Sequence, residues 1–213
     1  MMRLPAFLAD RRGASAAEFA MVLPVMLLFL FGTIDAGRYA WSLNQLEKGV
    51  QSAVRYAVVT DIVPSGLNAY DPIGFGCPGG SLEASDRICA EALGTISCSG
   101  SGGVSCSCTA SPCPGLGSAN GEAFANIAAR VTRMAPTVEA SNVSVTYAGS
   151  GLGFAGDPTV DDAGNPLSDI SPLVTVEVAG VEFRPFILLG APIDMPPVRS
   201  SLTLEDGDGA IGY

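Results

Sequence analysis

The residues best suited to chemistry are six cysteines: Cys77, Cys89, Cys98, Cys106, Cys108 and Cys113. All fall in one Gly/Ser-rich stretch. An even number in a loop-rich context, downstream of an export-type segment, reads as three disulfides formed in an oxidising compartment. Several pairings are open to six cysteines, and spacing does not choose among them. The competing reading is reduced thiols, or a four-cysteine zinc site built from Cys98, Cys106, Cys108 and Cys113.

Histidine is absent from the 213 residues. That removes imidazole acid–base catalysis, Ser–His and Cys–His nucleophile pairs and His-containing zinc sites. Asp157, Asp161, Asp162 and Asp169 lie among Gly and Pro. They lack the alternating Asp/Asn spacing and closing Glu of a calcium loop, so a solvated acidic loop is expected. Gly151-Leu152-Gly153 has no strand–turn–helix context to cradle a phosphate. The expectation is a protein that is not an enzyme, with no catalytic residue, metal or cofactor. A net charge of −10 repels phosphate backbones and argues against nucleic-acid partners.

Glu18 is the other chemically pointed residue. It lies at the start of an apolar segment, and residues 20–34 carry no charge. Arg3, Arg11 and Arg12 precede it against Asp10 alone. As a helix, residues 14–34 would span about 31 Å, roughly one hydrocarbon core. The one-sided arginines put Met1 in the cytoplasm and Asp35 onward outside. A carboxylate in a membrane helix costs roughly 2–3 kcal/mol near the centre and less near an edge. Cleavage after Gly13 would place a new α-amine on Ala14, one helical turn from Glu18. That amine, in the same or a neighbouring subunit, could neutralise the acid. Simple snorkelling to the cytoplasmic interface explains Glu18 equally well. A cleaved secretory signal fits poorly, because the apolar run is long and no small-residue site ends it. An uncut anchor and a prepilin-type leader both remain. Pro24 lies inside the run and removes one helix hydrogen bond, which membrane helices tolerate.

The elements that position these residues follow from periodicity. Tyr39, Leu43, Leu46, Val50, Ala53 and Ala57 extend one apolar stripe past the membrane segment, with Arg38, Glu47, Lys48, Gln51 and Arg55 off it. One helix over about 14–59 is expected, ended by Pro64-Ser65-Gly66. The alternative is two helices broken near Gly37. Residues 67–117 read as loops, with a short helix over 82–93 capped by Ser81. Residues 120–134 read as a helix with Phe124, Ile127, Ala128, Val131 and Met134 on one face, ended by Pro136. Residues 142–147 and 173–178 alternate apolar and polar as half-buried strands. Val181-Glu182-Phe183 continues or pairs with the latter, and 200–204 is a last strand. The class is therefore α+β, a long N-terminal helix packed on a small antiparallel sheet. The division is a basic leader 1–13, helix 14–60, Cys-rich loops 61–119, a helix with strands 120–205 and an acidic tail 206–213, read as disordered. Mean hydropathy is +0.37, and the apolar excess is concentrated at the N-terminus.

The stretch Arg11-Arg12-Gly13-Ala14-Ser15-Ala16-Ala17-Glu18-Phe19-Ala20-Met21-Val22-Leu23-Pro24 resembles the TadE-like family, minor pilins or pseudopilins of the Tad/Flp pilus system. Gly32, Asp35-Ala36-Gly37-Arg38 and Ala53-Val54-Arg55-Tyr56-Ala57 add to the resemblance. It implies a pilin-like fold and a leader that prepilin peptidase can cut between Gly13 and Ala14. It also implies that Glu18 and Phe19 are the Glu-Phe signature, with Glu18 meeting a neighbour's N-terminal amine during assembly. Implied partners are the inner membrane, other Tad/Flp pilins or assembly proteins, and the peptidase. The TadG-like relatives keep an uncut anchor. The runner-up is therefore an uncleaved single-pass envelope scaffold or binding protein with a disulfide-stabilised outer domain. A secreted enzyme is the remaining, weakest class.

Overall fold

A computed structural model describes residues 14–156, 170–187, 191–205 and 207. The leader with Gly13, the acidic stretch of Asp157, Asp161, Asp162 and Asp169, and residues 208–213 lie outside the described residues. Helix α1 runs Ala14–Ala57, 44 residues without a break at Pro24 or Gly37. The two-helix alternative is thereby set aside. The chain divides into two compact units, 1–41 with 182–193 and 42–181 with 194–213.

In the first unit, α1 is long and apolar enough to cross a membrane. Its large side chains from Phe19 to Phe31 are largely uncovered, Met21 at 80% and Phe29 at 68%. A core helix of a soluble protein would hide these groups, because exposed apolar area of this extent is unfavourable in water.

In the second unit, the rest of α1 is two-faced. Leu46, Val50, Ala53, Val54 and Ala57 are buried, while Glu47, Lys48, Gln51 and Arg55 are exposed. The expected stripe is thus a core face. Helix α2, Gly121–Met134, starts where the Asn120 side chain accepts a hydrogen bond from the Ala123 N–H, at 3.0 Å. Its Phe124, Ile127, Ala128 and Val131 are buried, and Met134 is not. The two helices approach closely at Gly49, where an added Cβ would stand 3.1 Å from the Val131 carbonyl oxygen. The Arg130 guanidinium lies 4.3 Å above the Tyr56 ring. We expect Asn120→Ala to cost about 1 kcal/mol of stability through the lost cap, read as a lower urea midpoint at unchanged slope.

Strands β1, Gly76–Cys77, and β2, Gly80–Ser81, make a short ribbon. The main sheet contains β3, Thr95–Ser99, β4, Ser105–Ala110, β5, Val143–Ala148, and β6, Leu173–Val178. Between β6 and the closing strand come β7, Glu182–Phe183, and β8, Ile193–Asp194. Strand β9, Val198–Thr203, completes an antiparallel sheet of order β4-β3-β5-β6-β9. Register puts Ile96 and Cys98, Val143, Val145 and Tyr147, and Val174, Val176 and Val178 on one buried face. The opposite face carries Ser107, Ser97, Thr146, Thr175 and Ser201 in one row across all five strands. Such a sheet covers one face and solvates the other. The Tyr147 hydroxyl, fully buried, accepts from the Val63 N–H at 3.1 Å, and burial drives its pKa upward.

Three expectations need correction. The loop region 61–119 contains the hairpin β3–β4, part of the main sheet. The helix expected over 82–93 is absent except for a 3-10 turn at Ala90–Ala92. There the Glu83 N–H turns onto Asp86, Ser85 adopts φ 75°, and Ile88 bonds Gly153. These contacts replace the helical ladder. Residues 182–183 pair with β8 and not with β6. Gly180, at φ 69°, turns the chain away, and the Asn142 side chain donates to the carbonyls of Ala179 and Gly180. Of the stretch read as an acidic tail only Gly207 is described, and its carbonyl accepts from the Ile62 N–H, while the Glu205 N–H donates to Val58.

Candidate functional site

The disulfides resolve the cysteine question. Cys77 pairs with Cys89, Cys98 with Cys106, and Cys108 with Cys113. Each bond has a local cause. Cys98 and Cys106 face each other in the β3–β4 register with Cα atoms 4.0 Å apart. Cys77 joins the β1–β2 ribbon to the residue before the 3-10 turn. Cys108 ties β4 to the chain that follows it. No cysteine is free, which leaves no thiolates for the zinc reading. Among the described residues no cluster of acids and cysteines could hold a metal.

Glu18 and Phe19 stand near the start of α1 with their side chains exposed, Phe19 at 61%. Ala14 opens the helix. On the α1 surface they offer a carboxylate and an aromatic ring to whatever lies beside the helix. An exposed acid flanked by a lipid-length apolar face can bind a cation in a low-dielectric setting, where pairing is stronger than in water.

A second constellation, which spacing alone did not single out, lies past the apolar run. Asp35 is buried, at 6% exposure. Its Oδ1 accepts from Arg38 Nη1 at 3.1 Å, and its Oδ2 accepts from the Ile187 N–H at 2.9 Å. The Arg38 guanidinium stands 4.3 Å from the Phe186 ring centroid and 5.3 Å from that of Phe183. Tyr39 meets Phe183 edge-on at 5.4 Å. Arg38 also donates to the Arg184 carbonyl. So Asp35 and Arg38, one helical turn apart, hold residues 183–187 against α1. The available signal was an Asp/Arg pair at i,i+3 immediately after an uncharged run, followed far downstream by an unexplained Phe-Arg-Pro-Phe-Ile.

The chain thus combines a helix of lipid-spanning length with a disulfide-bonded α+β domain built on an antiparallel sheet. Residues 13–55 match the family model described as TadE-like protein. That match takes in Gly13, Glu18, Phe19, Asp35 and Arg38, and stops near the end of α1. Comparison with curated proteins finds no match, and comparison with solved structures finds none either.

Proposed function

We propose that this protein is a minor pilin or pseudopilin that takes part in assembly of a Tad/Flp-type pilus at the bacterial inner membrane. The single observation that carries the reading is the TadE-like match over 13–55, with Glu18 placed on a helix of membrane-spanning length. In this reading the arginines of the leader stay in the cytoplasm and the disulfide-bonded domain lies outside. Prepilin peptidase cuts between Gly13 and Ala14. The Glu18 carboxylate then meets the Ala14 ammonium of a neighbouring pilin and sets the helix register within the assembly. Phe19 and the uncovered apolar side chains of α1 pack against neighbouring helices. The work is structural; no residue is assigned a catalytic step, and no cofactor or nucleic acid takes part.

One observation favours a second reading, an uncleaved envelope scaffold or binding protein. The family match ends with α1 and leaves the disulfide-bonded domain unaccounted for. Intact mass of the membrane-extracted protein separates the two. The pilin reading predicts an N-terminus at Ala14. A chain that still begins at Met1 would favour the scaffold.

A further inference from the structure

We propose that Phe186 and Ile187 form an interfacial foot, inserted in the boundary of the bilayer that α1 crosses, on the side where Asp35 and Arg38 lie. The inference rests on the reading of α1 as a membrane span and adds a second lipid contact from a distant part of the chain.

Depth is the first argument. Residues 14–34 span about 31 Å, one hydrocarbon core, so Gly32 sits in the last apolar turn. A Cβ added to Gly32 would stand 3.2 Å from Ile187 Cδ1. Ile187 is therefore level with the end of the apolar run, 155 residues of chain away from it. Residues 182–193 also cluster with 1–41 as one compact unit.

The second argument is the sorting of polar and apolar groups. A backbone N–H at the edge of lipid must find a partner, since water is scarce there. The Ile187 N–H has one in Asp35. Pro185, buried beside it, has no N–H to satisfy. Asp35 is neutralised by Arg38, whose guanidinium faces the rings of Phe183 and Phe186. The polar groups are thus paired with each other, and the apolar ones face outward. Phe186 is 58% exposed and Ile187 40%. Trp41, 67% exposed, stands two turns farther along α1, at headgroup level, where tryptophan is favoured.

Continuity selects the occupant. Ile187 adjoins the apolar run of α1 at Gly32, and lipid that surrounds that last apolar turn also reaches Ile187. A second copy of the chain would require a separate complementary surface. Lipid requires none.

The test uses the full chain reconstituted in phosphatidylethanolamine–phosphatidylglycerol vesicles that carry a lipid brominated either high or low on its acyl chains. Trp41 is the only tryptophan, so a Trp41→Phe background is dark. Phe186→Trp restores one reporter and keeps an aromatic face for Arg38. Phe29→Trp, in the uncovered middle of the apolar run, gauges the span. The proposal expects Phe186→Trp to emit at short wavelength and to lose about half its emission to the shallow bromines, less to the deep ones, as fits a group at the headgroup–acyl boundary. Phe29→Trp should show the reverse preference. Water-like, unquenched emission from Phe186→Trp beside a deep-quenched Phe29→Trp would overturn the foot and leave the span standing. Blue-shifted but unquenched emission would mean burial against protein and would overturn it as well. If neither reporter is quenched, the span itself fails.

Discussion

Glu18→Ala is expected to leave the protein in the membrane yet remove it from assembled pili. Two opposing effects set the outcome. The substitution deletes the single charge from a lipid-length apolar helix, so insertion improves by up to the roughly 2–3 kcal/mol that a carboxylate costs in the bilayer. In the proposed assembly it also leaves the ammonium of Ala14 unpaired in a neighbouring subunit. Removing one partner of a desolvated ion pair costs about 3–5 kcal/mol, because the other charge stays buried without compensation. At 1.4 kcal/mol per decade, association between subunits should weaken by at least about 100-fold. Glu18→Gln keeps size and hydrogen-bonding capacity but not charge, and should behave nearly as badly. Membrane-bound and sheared, pilus-borne protein can be quantified from the same cells. Normal incorporation of both variants would refute the pairing of Glu18 with the amine.

Reduction of the three disulfides is expected to unfold the disulfide-bonded domain. The closed loops have sequence separations of 12, 8 and 5. Chain-entropy reasoning assigns roughly 2–3 kcal/mol to each, with the longest loop contributing most. The combined loss is comparable to the 5–15 kcal/mol that typically stabilises a domain. Cys98–Cys106 matters beyond its loop. Cys98 is fully buried on the core face of β3, so Cys98→Ser with Cys106→Ser also buries a hydroxyl that must find a partner. Limited proteolysis of the detergent-extracted chain, with and without reductant, measures this. Rapid cleavage after reduction, and an intermediate rate for the double variant, are the expected results. Equal resistance in all three samples would show that the bonds are incidental to the fold.

Periodicity made much of this architecture readable. Helix α1 followed from an apolar run that passes into a 3.6-residue stripe. Helix α2 followed from Phe124, Ile127, Ala128 and Val131, and β5 and β6 from alternation. The hairpin β3–β4 was missed for an instructive reason. Thr95-Ile96-Ser97-Cys98-Ser99 and Ser105-Cys106-Ser107-Cys108 alternate with period two once cysteine is counted as a small apolar residue. Read only as bridge-forming thiols in a Gly/Ser-rich stretch, they look like loop. The helix expected over 82–93 failed because local side-chain turns and a cross-link at Cys89 outcompeted a weak periodicity. The Asp35–Arg38 clamp was legible as a charged pair, but its partner is separated by about 150 residues, and only the folded chain brings Ile187 to Asp35. Glu18 could be singled out from its cost alone.

Alkaline carbonate extraction of cell membranes probes the account at its root. The protein is expected to stay in the lipid pellet after carbonate treatment and to be released only by detergent, as a chain that crosses the bilayer must be. Recovery in the supernatant, with residues 14–34 still attached, would contradict the spanning helix, and the pairing of Glu18 and the interfacial foot would fall with it.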